Sequence, residues 1–142
     1  MSQIIRDITN ITRCGAQYRG DALAPMGLKG CHASYLMEIC ECPGISQDGL
    51  ARRICINKSN IARQLAVLEK GGFVTRTPSA GDKRVMELYP TEKTLALLPR
   101  IREIMDQWEQ YLTQDMTPED AERLSPMLKA MMARAAAWVE AH

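Results

Sequence analysis

Between Ile45 and Pro90 the chain reads as a helix, a short turn, a second helix and a hairpin, and few folds accommodate that order. The first helix covers Ser46 to Ile54, and the turn is Cys55-Ile56-Asn57. The second helix covers Lys58 to Lys70 and is closed by Gly71-Gly72. A strand from Phe73 to Pro78, a tip from Ser79 to Arg84 and a return strand from Val85 to Pro90 follow. A helix of this kind can enter the major groove of a duplex, and a basic hairpin tip can reach the neighbouring backbone or minor groove.

The second helix has two distinct sides. Ile61, Leu65 and Leu68 recur at i, i+4 and i+7 and form one apolar stripe. Ser59, Asn60, Arg63 and Val67 fall opposite, with Gln64 at the edge. Asn57 is placed to cap the helix by accepting from a free backbone N–H of its first turn. Gly71 or Gly72 supplies a left-handed stop. Ser, Asn and Arg side chains suit hydrogen bonds to base edges and phosphates. A merely solvated face is the ordinary alternative, and the adjoining basic wing tilts the reading toward nucleic acid.

Charge is segregated along the chain. From Arg52 to Arg84 eight basic residues face two acidic ones, Glu69 and Asp82, a net +6. From Ile101 to His142 four basic residues face eight acidic ones, a net −4. A formal net charge of only +1 for the whole chain is therefore compatible with a local DNA-binding surface.

The run from Asn57 to Arg76 resembles the recognition helix and first wing strand of the MarR-type winged-helix regulators. Asp82-Lys83-Arg84 is similar to that family's acidic–x–Arg wing signature, and Thr91-Glu92-Lys93 to the start of its following helix. Three positions depart from the family pattern. Gly49 stands where a Glu commonly precedes Leu-Ala, Pro90 replaces an apolar strand residue, and Thr94 replaces a Gly. As a helix-interior residue, Gly49 carries a propensity penalty of ~1 kcal/mol relative to Ala.

The resemblance covers nearly the whole chain and implies a mainly α (α+β) single domain over residues 1–142. A winged-helix DNA-binding unit with a two-stranded wing would occupy 31–90. Segments 1–22 and 91–142 would form a helical dimerisation region. The site residues implied are Ser46, Asn57, Lys58, Ser59, Asn60, Arg63, Gln64, Asp82, Lys83 and Arg84. The expected partners are double-stranded DNA carrying a pseudo-palindromic operator, and a second copy of the chain. Two-fold DNA readers space their recognition helices by roughly 34 Å, one duplex turn, which a helical dimer region would set.

Outside the winged helix, a first helix to about Arg19 carries Ile4, Ile5, Ile8 and Ile11. A connection broken by Pro25 and Gly27 leads to a helix from Cys31 to Cys42, with Tyr35, Leu36 and Ile39 on its apolar side. Thr91 can cap a long helix that Pro99 is expected to bend. Thr117-Pro118 opens the last helix, which bears Leu124, Met127, Leu128, Met131, Met132 and Trp138.

Other classes are poorly supplied. No apolar run approaches the ~20 residues that span a membrane, and no signal-peptide stretch opens the chain, so a cytoplasmic protein is expected. Its five cysteines should then be reduced thiols. With two histidines and no phosphate loop, nucleophile elbow or HExxH, no enzyme, cofactor or metal site is expected. Cys31-His32 and Cys40/Cys42 would stand about 13 Å apart along one helix at 1.5 Å per residue, too far for one ion.

Function is therefore read as transcription regulation, as a repressor released by a small aromatic or anionic ligand. Tyr18, His32 and Tyr35 are candidates for the lining of its pocket. The family also contains peroxide sensors, which makes Cys14, beside Arg13, a redox candidate. The alternative is a winged-helix module that binds protein. Such a module has no need for Arg63, Lys83 and Arg84 on one surface.

Overall fold

The computed structural model describes residues 2–142. Helix α1 spans Gln3–Leu23, followed by a 3-10 turn at Ala24–Met26 and by α2 at His32–Glu41. Strand β1 is Ile45–Ser46, α3 is Gln47–Arg53 and α4 is Lys58–Lys70. Strands β2, Val74–Pro78, and β3, Met86–Pro90, lead to α5, Glu92–Leu112, and α6, Pro118–Ala141. The chain divides into two compact units, the first ending at Asp106 and the second covering Gln107–His142.

In the first unit, α2, α3, α4, the sheet and the early turns of α5 enclose one core. Tyr35, Leu36 and Ile39 of α2, Leu50 of α3 and the α4 stripe Ile61, Leu65 and Leu68 are fully buried. Leu88 of β3 and Ile101 and Ile104 of α5 complete it, with Leu23 from the end of α1. The expected α4 stripe is thus the inward face, and the helix bounds agree with the sequence reading.

The two-stranded wing is present as expected, and one further short strand joins its sheet. The sheet has three strands in the order β1-β3-β2, all antiparallel. Ile45 pairs with Leu88 and Ser46 with Glu87, and Gly44 N–H donates to the Leu88 carbonyl at 2.7 Å. A two-residue strand is too short to show the alternation that identifies strands in sequence. The wing hairpin itself pairs Val74 with Pro90 through Pro78 with Met86. Pro90 lies at the strand end, where its missing N–H costs little.

Helix α1 runs beyond Arg19 to Leu23, because Ala22 and Leu23 turn toward the core. Pro25 sits at the start of the 3-10 turn, and Gly27 at φ 76° makes the left-handed stop. Helix α5 continues through Pro99, and α6 through Pro126, which the sequence reading passed over.

Gly49 is no packing defect. An added Cβ there would come within 2.9 Å of Ser46 Oγ and 3.3 Å of Ile45 Cγ1. That hydroxyl is the α3 cap, accepting from Gly49 N–H at 2.9 Å. A larger residue would trade the helix-propensity gain against the cap.

The isoleucines of α1 stay uncovered in the single chain: Ile4 is 61% exposed, and Ile5, Ile8 and Ile11 are also open. In the second unit, Met127, Leu128, Met131, Met132 and Val139 of α6 are exposed, as is Trp138 at 64%. Trp138 stacks on His142, and Trp108 on Tyr111. Among the described residues no helix is long and apolar enough to cross a membrane.

Candidate nucleic-acid interface

The helix-turn-helix is fastened at each joint. Asn57 caps α4, its Oδ1 accepting from Asn60 N–H at 2.8 Å and from Ser59 Oγ–H at 2.9 Å. Lys58 and Asp48 form a loose ion pair of 3.6 Å between α4 and α3. Both groups are well exposed, so the pair adds little stability and leaves Lys58 available to a phosphate. Cys55, in the turn, holds φ 57°, a left-handed conformation that a non-glycine residue adopts at a cost of roughly 1–2 kcal/mol. Arg53 of α3 reaches back to α2, with Nε 2.8 Å from Glu38 Oε2.

The outer face of α4 presents Lys58, Ser59, Arg63 and Val67 to solvent, with Asn60 half-buried beside them. Gln64 sits at the edge of this face and turns inward. His32 explains the turn. Lys29 N–H donates to His32 Nδ1 at 3.0 Å, which leaves the other ring nitrogen to carry the hydrogen. His32 Nε2–H then donates to Gln64 Oε1 at 2.8 Å. Both ring nitrogens of this buried histidine are satisfied within the chain, so His32 ties α2 to α4. Burial holds its pKa below the ordinary value of 6.5, with Lys29 acting in the same direction and the Gln64 bond opposing.

The linkage has a sign. The folded chain favours neutral His32 more strongly than the unfolded chain does, so its contribution is complete above pH 6.5 and fades as pH falls below it. Melting temperatures measured between about pH 7.5 and 5.5 should fall toward acid in the wild type and less steeply in His32→Gln. Parallel curves would contradict this role.

Tyr35 lies edge-on to His32, ring centres 6.3 Å apart. Its hydroxyl is buried and has no hydrogen-bond partner among the described residues. Burial raises its pKa, with the Cys31 thiol adding and Arg63 opposing. Tyr18 is half-buried against the same core. Cys14 is exposed on α1, as are Cys31 and Cys55 elsewhere, while Cys40 and Cys42 are half-buried. Burial raises the Cys40 thiol pKa, which disfavours thiolate there. Among the described residues no three potential ligand side chains gather into a metal site.

At the wing tip, Asp82 holds Arg84 by two oxygens. Arg84 Nε donates to Oδ1 at 3.1 Å and Nη2 to Oδ2 at 3.2 Å, and Arg84 N–H also donates to Oδ1 at 3.0 Å. These bonds hold the Asp82 carboxyl below its usual pKa. The Arg84 side chain is nevertheless 90% exposed. A guanidinium aimed outward and held on one edge keeps N–H groups free for an anion. Lys83 beside it is exposed. Arg76 fixes β2 to α4 through Glu69, at 3.0 Å, and lowers the Glu69 pKa.

The sequence reading missed the clamp at the far end of α4. Lys93 Nζ donates to the Gly71 carbonyl at 2.9 Å and sits 4.2 Å from the centre of the Phe73 ring. Thr91 Oγ1 donates to the Gly72 carbonyl at 2.7 Å, and buried Thr94 Oγ1 to the Phe73 carbonyl at 2.6 Å. Three side chains at the head of α5 thus satisfy successive carbonyls where α4 ends, and a cation meets the negative end of its dipole. Thr94, the departure from the family's Gly, supplies the buried member. The only hint in sequence is two threonines three apart, which reads simply as a helix start.

An exposed polar helix, a capped turn and a β-wing with an outward arginine define a winged helix-turn-helix protein. The MarR family model matches residues 32–86. An uncharacterized HTH-type transcriptional regulator of Bacillus subtilis (strain 168), YybA, is 30% identical over 128 residues, covering 90% of this chain and 85% of its own. The crystal structure of the transcriptional regulator SlyA superposes with a TM-score of 0.91 at 27% identity, covering 95% of each chain. A putative MarR-family regulator from Listeria monocytogenes, solved in complex with 26mer DNA, also gives 0.91 at 27% identity, covering 96% of this chain and 91% of its own. The chain belongs to the MarR family of transcription regulators.

Proposed function

We propose that this regulator is a homodimer that binds a pseudo-palindromic operator and represses until a small aromatic or anionic ligand releases it. The observation that carries the DNA reading is the wing tip, where Asp82 orients an almost fully exposed Arg84. The Listeria relative solved with 26mer DNA supports the same reading. On this proposal Arg63 and Asn60 contact bases or phosphates, Lys58 and Lys83 neutralise phosphates, and Arg84 enters the minor groove. Ser46 and Asn57 act through the helix caps they build, with backbone N–H groups facing phosphate, and Ser59 supports the second cap through its bond to Asn57. Gln64 acts through His32.

The dimer reading rests on the uncovered isoleucines of α1 and the exposed apolar residues of α6, which a second copy would bury. For the ligand, Tyr35 offers a buried hydroxyl in need of a partner, with Tyr18 and His32 packed around the same core. Oxidation of exposed Cys14 is the competing release route, and a Cys14→Ser variant that still releases DNA on peroxide treatment would eliminate it.

Arg84→Ala should weaken operator binding by about 10- to 100-fold, the worth of a charge-assisted hydrogen bond, and leave the sedimentation coefficient of the free protein unchanged. An unchanged dissociation constant at moderate salt would remove Arg84 from the interface.

A further inference from the structure

We propose that Val67 is a specificity-determining residue that reads the C5-methyl group of a thymine in the operator. This inference rests on the DNA-binding reading above. Val67 is 43% exposed and is the large aliphatic side chain that α4 leaves open, while Ile61, Leu65 and Leu68 are fully buried. Lone exposed aliphatics are common on protein surfaces, so its neighbours decide the matter. Val67 lies four residues after Arg63 and seven after Asn60, which places the three on one stripe of the outer face. The chemistry of that stripe matches three different features of the major groove. An amide suits adenine, a guanidinium suits guanine, and a branched aliphatic suits only the thymine methyl.

The core does not account for Val67, and neither does helix propensity. Alanine forms helices better, and no phosphate contact gains from a β-branched hydrocarbon. Four residues of α-helix advance ~6 Å, against 3.4 Å per base step along one strand. With α4 lying along the groove, the methyl read by Val67 should sit about two base steps from the base or phosphate met by Arg63.

The test begins with the full-length protein and a pool of random duplexes, from which the preferred operator is selected. Each thymine of that operator is then replaced in turn by deoxyuridine, which differs only by the lost methyl, and affinity is measured by fluorescence anisotropy. Wild type should lose about fourfold at one thymine position per half-site, the worth of burying one methyl group. Val67→Ala should bind the thymine operator about fourfold more weakly and be indifferent to deoxyuridine at that position. Val67→Thr, which keeps one methyl, should retain sensitivity to the substitution. Wild-type indifference to every deoxyuridine overturns the proposal, and so does a Val67→Ala variant that keeps the same sensitivity. If selection enriches no sequence at all, the operator-binding reading fails and takes this proposal with it. An enriched operator without a methyl effect removes Val67 alone.

Discussion

Leu65→Ala should lower the free energy of unfolding by ~2–5 kcal/mol, the range for deleting a buried leucine side chain from a packed core. Leu65 is fully buried, at the middle of the α4 stripe that Ile61 and Leu68 extend. The helix is pinned at its cap by Asn57, at its side by Gln64 and His32, and at its end by Thr91, Lys93 and Thr94. With both ends held, α4 cannot slide inward to fill the void, so the cost should lie toward the upper part of that range. Small domains are stable by only ~5–15 kcal/mol, so a measurable unfolded fraction is expected near physiological temperature. Urea denaturation of Leu65→Ala beside Val67→Ala checks this. The second variant, on the opposite face of the helix, should stay within ~0.5 kcal/mol of wild type. Equal midpoints for the two would contradict the assignment of inward and outward faces.

Gly30→Ala should destabilise by ~1–3 kcal/mol, the usual cost of overpacking, although Gly-to-Ala changes are commonly favourable through the unfolded chain. A Cβ at this position would lie 2.7 Å from the Ala16 carbonyl oxygen, 2.9 Å from Gly20 N and 3.3 Å from Gly20 Cα. All three obstacles are backbone atoms of α1, so no side-chain rotation relieves them. Arg19 Nε also donates to the Gly30 carbonyl at 3.3 Å, tying the same approach together. Gly20→Ala is the internal control. A Cβ there meets nothing within 4 Å, and the position lies inside a helix, so a gain of ~0.5–1 kcal/mol is expected. Opposite signs for the two variants would establish that the loop before α2 packs directly on the α1 backbone. Two gains would refute it.

The contrast between these two glycines shows what sequence reading can reach. Helix α4 was legible because three separate signals agree on it: a period of 3.6, an Asn cap and a Gly stop. The wing tip was legible because Asp82 and Arg84 are close enough in the chain to meet in any tight turn. Gly30 reads only as loop punctuation, since the close approach of α1 is a long-range contact. Strand β1 escaped for want of length. The His32–Gln64 bond, between residues 32 apart, and the Thr94–Phe73 bond, 21 apart, carry no local pattern. The buried Tyr35 hydroxyl without a partner among the described residues, and the bonds of both His32 ring nitrogens, are likewise set by the fold and carry no local pattern. Thr94 looked like a blemish in the family pattern and is a buried donor in the joint that holds α4 to α5.

Specific DNA binding through the outer face of α4 is the central claim, and one comparison tests it most directly. The dissociation constants of wild type and Arg63→Ala are measured at one fixed salt concentration, on the operator duplex selected from the random pool and on a scrambled duplex of equal length. The wild type should prefer the operator by at least ~10³-fold, and Arg63→Ala should lose ~1–3 kcal/mol of that preference while still binding both duplexes. Equal affinity of the wild type for the two duplexes, or an operator affinity untouched by the loss of Arg63, would contradict the account.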